Sequence, residues 1–174
     1  HMGQETSDVS SEMQYLTFVL GREIYGLPIA SVREVFEYHR ISKVPLACDV
    51  VRGVMNLRGN VITVVDLSAR LYGKRKPDNE KGVVVIAEIE DEGIPVQVGM
   101  LIDAVSEVID LPEDVMEEEP AFGAKIRSDF ISRIGKSGGR FIIILDAAKV
   151  LHLEELSELN AKAMNKAGSG ALNA

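Results

Sequence analysis

The chain has 174 residues, of which 46% are hydrophobic and 26% charged, and 19 Lys plus Arg against 27 Asp plus Glu give a net charge of −8. This composition suits one ordinary domain, or two very small ones that share a core, and it excludes a largely disordered chain. The negative charge disfavours general nucleic-acid binding because it repels a phosphate backbone. A single cysteine, Cys48, excludes an internal disulfide.

The sequence leads us to expect neither a membrane span nor an export signal. No apolar run approaches the roughly 20 residues that span a bilayer, and the polar N-terminus does not resemble a signal peptide. These features predict a cytoplasmic protein without membrane insertion. His1 and Met2 resemble a cloning remnant, so residues 1–14 are expected to be that remnant with a flexible N-terminus, and residues 161–174 a flexible tail.

The chain contains two copies of one pattern. Five residues recur 73 positions later with the spacing G-x-x-I-x-x-V-x-E-V unchanged, which pairs Gly26, Ile29, Val32, Glu34 and Val35 with Gly99, Ile102, Val105, Glu107 and Val108. Four more recur 80 positions later, which pairs Asp49, Gly59, Asp66 and Leu71 with Asp129, Gly139, Asp146 and Leu151. The change of offset predicts a short insertion in the second copy, around residues 111–125.

Short runs rich in Val, Ile, Phe and Tyr, bounded by Gly, Asp or Asn, predict that each copy is mostly strand. In chain order these runs cover residues 15–20, 24–29, 61–65, 83–89, 94–101 and 141–145. Asp66 and Asp146 each follow an apolar strand and can cap a helix. We expect the first helix to end at Gly73 and the second to run over residues 146–160.

The repeat and these elements predict a mainly β chain with two small barrels. We expect the first barrel mainly in residues 15–73 and the second barrel mainly in residues 83–151. The linker between them covers residues 74–82 and follows the short first helix. The three histidines and one cysteine form no metal-ligand spacing and no nucleophile–base arrangement. The sequence therefore predicts no enzyme, no metal and no cofactor, and binding becomes the leading class of function.

Residues 53–67, GVMNLRGNVITVVDL, resemble the signature of the CheW family of bacterial chemotaxis coupling proteins. Thr63 departs from the family, which usually has Pro there. Residues 32–35 and 98–108 also fit the family, so the resemblance covers about residues 15–159. It implies two SH3-like five-stranded β-barrel subdomains that share an apolar seam, in one CheW-like domain over residues 15–160.

The resemblance also implies the function. Members of the family are non-catalytic adaptors that couple the cytoplasmic tips of chemoreceptors to the regulatory domain of the histidine kinase CheA, and that assemble signalling arrays in which CheW copies can contact one another. It implies a cytoplasmic protein recruited to membrane receptor arrays. The alternative is a CheW-like adaptor domain excised from a larger signalling protein such as CheV or CheA. An SH3-like enzyme or nucleic-acid module is disfavoured by the missing nucleophile, metal set and basic charge.

The family's receptor groove lies between the two copies. Carried over residue by residue, the receptor-binding set is Ile29, Val32, Glu34, Val35, Asn56, Arg58, Val105 and Val108. An amphipathic receptor helix would place its apolar stripe on the Val and Ile side chains. Glu34 and Arg58 have opposite charge and are expected to pair beside them. The alternative is that the valines belong to the core and that Arg58 is an ordinary loop arginine.

The family contacts the kinase through the outer ends of both barrels. In the first copy the expected kinase-binding set is Ile41, Lys43, Val44, Pro45 and Val61, an apolar loop that an isolated protein has little reason to expose. In the second copy Phe122, in a loop after residues 117–120, suits an interface anchor. The alternative for the first set is packing at the end of the barrel.

Overall fold

The structure is a computed structural model that describes residues 14–45, 47–117, 126–152, 154–159 and 161–162. Six strands form the first sheet: β1 (Gln14–Leu20), β2 (Glu23–Pro28), β8 (Ala104–Asp110), β9 (Met116–Glu117), β10 (Ile131–Ser137) and β11 (Arg140–Leu145). Five form the second: β3 (Val32–Glu37), β4 (Val51–Leu57), β5 (Asn60–Asp66), β6 (Val83–Asp91) and β7 (Ile94–Ile102). The α-helices are α1 (Leu67–Tyr72) and α2 (Ala147–Val150), and residues 154–159 are also helical.

The two sheets do not separate the two copies. The first sheet has the order β8-β1-β2-β11-β10-β9 and the second has the order β3-β6-β7-β5-β4. The β1–β2 hairpin of the first copy therefore lies in a sheet whose other strands come from the second copy, and the β6–β7 hairpin lies in the opposite sheet. The predicted division into barrels at residues 15–73 and 83–151 is wrong, because each copy gives its first hairpin to the other.

Two parallel strand pairs hold the exchanged hairpins in place. β2 pairs with β11, where Gly26 lies opposite Ile144, and β7 pairs with β5, where Gly99 lies opposite Val64. These pairs are equivalent, because Gly99 is the counterpart of Gly26 in the repeat and Ile144 is the counterpart of Val64. A Cβ atom on Gly26 would lie 2.8 Å from Ile144, and one on Gly99 would lie 3.1 Å from Val64. Glycine lets the strands pack closely in both copies, and the strand register confirms the internal repeat.

Three apolar clusters stabilise this mainly β fold of two SH3-like barrel subdomains. The largest, which we call the central cluster, lies between the sheets and takes side chains from both, including Phe18 of the first and Val85 of the second. Each sheet also has its own cluster, one around Leu111 and Ile142 and the other around Val84 and Ile86. β6 is buried on both faces, because its residues alternate between the central cluster and the cluster of the second sheet. This explains why its sequence lacks polar alternation.

The first helix forms as predicted. The Asp66 carboxylate accepts a hydrogen bond from the Ala69 amide at 3.1 Å, and Gly73 ends the helix with φ of 72°. Asp146 caps α2 in the same way through the amide of Lys149.

The predicted continuous helix over residues 146–160 is wrong, because α2 stops at Val150 and the next two residues, Leu151 and His152, are not helical. Residues 154–159 form a separate helical segment. Arg70 of α1 supplies the physical reason. Its Nε donates to the carbonyl of Val150 at 2.7 Å, and its Nη2 donates to that of Lys149 at 3.2 Å. These bonds satisfy carbonyl groups that a longer helix would have bonded internally.

Several boundaries differ from the prediction. β3, β4, β8, β9 and β10 were not predicted, and Gln14, assigned to the N-terminal extension, begins β1. Lys76 is buried although it lies in the linker over residues 74–82. Residues 1–13 and 163–174 lie outside the described residues. Within the described part of the chain, no helix has the length and apolar character needed to cross a membrane.

Candidate functional site

The edge strand β3 carries two of the predicted receptor-binding valines. Val32 lies opposite Ala87, and Val35 lies opposite Val85. Residues that oppose each other in a strand pair point to the same face, and Ala87 and Val85 both belong to the central cluster. A β-bulge between the two valines turns both toward that face although they are three positions apart.

The edge strand β8 repeats this arrangement in the other sheet. Val105 lies opposite Phe18 and Val108 lies opposite Leu16, again across a bulge and again against residues of the central cluster. Ile29, Val32 and Val105 are half-buried and pack against the central cluster, whereas Val35 and Val108 are 47% and 50% exposed. We call these five residues the apolar rim. The structure brings three of them together on one cluster and leaves two open to solvent.

Glu34 and Arg58 form the predicted ion pair. Arg58 Nη1 donates to Glu34 Oε1 at 3.0 Å, and Nη2 donates to Oε2 at 2.6 Å, which is the two-pronged geometry that a guanidinium makes with a carboxylate. The hydrogen bond from Arg58 lowers the pKa of Glu34 below its ordinary value. The pair therefore orients the Arg58 side chain beside strand β3, which carries Val32 and Val35.

Arg58 occupies a backbone position that favours glycine. It lies in the two-residue turn between β4 and β5 with φ of 50°, and Gly59 follows with φ of 86°. Asn56 fixes this turn, because its Oδ1 accepts a hydrogen bond from the Gly59 amide at 3.0 Å. The equivalent residue 80 positions later is Gly138, with φ of 58°. The first copy therefore has an arginine, in a conformation that strains it, where the second copy has glycine.

The predicted kinase-binding residues of the first copy lie along one side of the second sheet. Ile41 is half-buried and packs against the cluster of that sheet, and the next residue, Ser42, pairs with Val54 of β4 through its backbone. Lys43 is exposed and forms an ion pair with Asp78 at 3.2 Å. The remaining three are the half-buried Val44, the exposed Pro45 and Val61, which is 72% exposed. Phe122, predicted in the second copy, lies outside the described residues.

The two predicted binding sets meet at one hairpin. Asn56, assigned to the receptor, lies directly opposite Val61, assigned to the kinase, across the β4–β5 pair. Opposed residues share a face, so these two side chains are neighbours. The two candidate surfaces are therefore contiguous at this hairpin. The sequence analysis had placed one in the groove between the copies and the other at the outer ends of the barrels.

An exposed aromatic residue escaped the sequence analysis. Phe141 is 59% exposed at the start of β11 and lies opposite Lys136, whose ammonium is 5.8 Å from the centre of the ring. The repeat provides the signal that could have found it, since Phe141 and Lys136 are the counterparts of Val61 and Asn56 80 positions earlier. The second hairpin therefore exposes an apolar residue at the same place as the first.

The described residues contain no group of three or more His, Cys, Asp or Glu side chains that could hold a metal ion. Every buried side-chain nitrogen and oxygen atom among them has a hydrogen-bond partner. The polar groups are thus committed to holding the fold or lie at the surface. What this arrangement offers to a partner is an apolar rim, an oriented ion pair and an exposed apolar segment.

Comparison with known proteins gives a consistent result. The model of the CheW-like domain family matches residues 14–155. The chain is 28% identical over 144 residues to chemotaxis protein CheW of Klebsiella aerogenes, which covers 83% of this chain and 84% of that protein. It is 28% identical over 165 residues to chemotaxis protein CheA of Treponema pallidum, which covers 89% of this chain but 18% of that protein. The crystal structure of the scaffolding protein TtCheW from Thermoanaerobacter tengcongensis has a TM-score of 0.67 and 34% identity, over 78% of this chain and 89% of that one.

Proposed function

The chain belongs to the CheW-like domain family, and we propose that it is a non-catalytic chemotaxis adaptor that couples the cytoplasmic tips of chemoreceptors to the histidine kinase CheA. The similarity to CheW of Klebsiella aerogenes and to the scaffolding protein TtCheW supports this proposal, since more than four fifths of each is matched. The second hypothesis is a CheW-like domain from a larger signalling protein such as CheV or CheA. The similarity to CheA of Treponema pallidum, which extends over 18% of that protein, is the observation behind this second hypothesis.

The single observation that carries the receptor side of the proposal is the apolar rim with its ion pair. Val35 and Val108 are exposed on two edge strands, while Ile29, Val32 and Val105 continue inward to the central cluster. A receptor helix can lay an apolar stripe on this rim, in the manner of helix-in-groove recognition. Arg58, held by Glu34, supplies a charged contact beside β3.

The kinase side of the proposal rests on the exposed segment of the second sheet. Lys43 and Pro45 are exposed in the segment over residues 41–45, and Val61 is exposed on β5. An exposed apolar residue next to a charged one suits contact with the CheW-like regulatory domain of CheA. In the second copy we propose Phe122 as the corresponding anchor. Through these surfaces the protein would join cytoplasmic receptor arrays, where contacts between copies of the chain are also proposed.

The experiment that tests this function separates the two surfaces by mutation. Val108→Asp is expected to weaken binding of a receptor-tip fragment at least tenfold (~1.4 kcal/mol), because it places a charge on an apolar contact. It should leave binding of the CheA regulatory domain unchanged. Val61→Asp should weaken binding of the CheA regulatory domain and leave binding of the receptor-tip fragment unchanged. Both are exposed positions, so both variants should fold, and calorimetric titration at physiological salt measures each affinity.

Ile94→Asp is the matched control, because Ile94 is an exposed apolar residue, 65% exposed, that belongs to neither surface. It should bind both partners as the unmodified chain does. The proposal fails if Val108→Asp and Val61→Asp also bind both partners with unchanged affinity.

A further inference from the structure

Arg52 is a buried arginine at an irregular position in the sheet. It lies on a β-bulge of β4, where Val51 pairs with Val65 and Gly53 with Val64, so that Arg52 has no opposite residue. Its side chain is 1% exposed. A bulge re-aims the side chain that it carries. The same bulge occurs in β10 of the second copy, but Ser132 stands there in place of the arginine. The bulge is therefore common to both copies, and the arginine is particular to the first.

The guanidinium of Arg52 holds three parts of the chain together. Its Nε and Nη2 donate to the hydroxyl of Tyr38 at 3.1 and 2.6 Å. Its Nη1 lies 3.2 Å from the buried carboxylate of Asp66 and also donates to the carbonyl of Lys76. Its Nη2 forms an ion pair with Asp78 at 3.0 Å. Only a planar group with five donors can serve all of these acceptors at once.

These contacts bracket the segment over residues 41–45. Tyr38 lies just before the segment, and Asp78, on the other side, also accepts a hydrogen bond from Lys43 at 3.2 Å. The next two residues of β4 complete the attachment. A Cβ atom on Gly53 would lie 2.2 Å from the carbonyl oxygen of Ser42, so glycine is needed for the close approach. Val54 and Ser42 exchange backbone hydrogen bonds at 2.8 and 2.9 Å.

We propose that Arg52 is a positioning residue for the kinase-binding surface: through Tyr38 and Asp78 it fixes the segment over residues 41–45 against the second sheet. This inference rests on the proposed function for the identity of the partner. Arg52 itself is buried and contacts no partner. Its effect on binding is to hold Lys43, Val44 and Pro45 in one arrangement relative to Val61, so that the surface does not have to be ordered when the partner binds.

The test compares two buried arginines in the full chain. Arg52→Lys keeps the charge but loses the planar fork, and it should reduce affinity for the CheA regulatory domain roughly tenfold (~1.4 kcal/mol) while binding of a receptor-tip fragment is unchanged. Hydrogen exchange of the Ser42 amide should become faster, because its bond to Val54 is no longer held in place. Arg70→Lys is the matched control, since Arg70 is 4% exposed and binds α2 and Glu155, away from this segment. It should change neither the affinity for the CheA regulatory domain nor the hydrogen exchange of the Ser42 amide.

Tyr38→Phe is a second variant, which removes only the hydroxyl that accepts hydrogen bonds from Arg52. It keeps the inference testable if the Arg52→Lys variant does not fold. It should accelerate exchange of the Ser42 amide to a smaller degree. Unchanged exchange and unchanged kinase-domain affinity in Arg52→Lys would overturn the inference. Lys43→Glu separates this result from failure of the proposed function. If Lys43→Glu leaves kinase binding intact, the assignment of the surface is wrong, while the exchange of Ser42 still decides whether Arg52 positions the segment.

Discussion

Arg58 is the residue at which the fold and the proposed receptor contact make opposite demands. The turn between β4 and β5 needs two residues with positive φ, a conformation that glycine adopts without strain and arginine does not. The second copy has Gly138 at the equivalent position and makes the same turn. The ion pair with Glu34 is exposed and contributes little to stability. The proposed contact with the receptor would account for an arginine at this position.

This conflict makes Arg58→Gly a sharp prediction. Glycine relieves the backbone strain while removing the ion pair, so the unfolding midpoint should shift by no more than about 4 °C. Affinity for a receptor-tip fragment should nevertheless fall, because the charged contact is lost. Thermal unfolding and calorimetric titration measure the two effects separately. A variant that binds the receptor fragment normally would show that Arg58 is an ordinary turn residue.

At the scale of elements, the helical segment over residues 154–159 is tied to the rest of the molecule by Glu155. Its carboxylate accepts hydrogen bonds from Arg70 at 2.9 Å and from Arg127 at 2.6 Å. Together these hydrogen bonds lower the pKa of Glu155 to about 2, and the bond from Arg70 makes the largest contribution. Arg70 also ends α2, so one arginine connects α1, α2 and the terminal segment.

The lowered pKa of Glu155 predicts a pH dependence of stability. A carboxyl group with a depressed pKa in the folded state stabilises fully above its ordinary pKa of 4.5 and loses that contribution as the pH falls toward 2. The unfolding midpoint should therefore decrease between about pH 4.5 and pH 2, and Glu155→Gln should decrease less steeply. Glu158→Gln, an exposed position in the same segment, is the control and should follow the unmodified chain. Equal slopes for all three proteins would contradict the assignment.

The strands that the sequence predicted are those with uninterrupted apolar runs. β6 and β11 are examples, since each contains consecutive residues that are buried or half-buried on both faces of the sheet. β3 and β8 were missed because they are edge strands, in which charged residues alternate with valine and a bulge breaks the period of two. β4 was missed because Arg52 and Gly53, which suggest a loop, lie inside it. The bulge that accommodates them is a tertiary feature without a local signal.

At the scale of the whole molecule, the repeat was visible in the sequence but the exchange of hairpins was not. Spacing identifies equivalent residues, such as Gly26 and Gly99, but it does not state which copy supplies the neighbouring strand. The candidate site was predictable where it depends on residue type, as for the pair of Glu34 and Arg58. The contact between the two candidate surfaces was not predictable, because the direct opposition of Asn56 and Val61 depends on the strand register.

That continuity bears on how an adaptor can hold two partners. The apolar rim lies on the edge strands β3 and β8 and on Ile29 just before β3, whereas the segment over residues 41–45 is attached to β4, at the other edge of the second sheet. The two surfaces are adjacent only at the β4–β5 hairpin, where Asn56 and Val61 are neighbours. The surfaces therefore share a border without sharing the rim or the segment, and both partners should fit at once.

The most direct measurement is a titration of a receptor-tip fragment into the chain already saturated with the CheA regulatory domain. The account predicts a ternary complex, with an affinity for the receptor fragment within about threefold of that for the free chain (~0.7 kcal/mol). Val108→Asp should weaken the second binding step at least tenfold and leave the first complex intact. Displacement of the kinase domain by the receptor fragment would contradict the account, because a protein that binds its partners only in competition does not couple them.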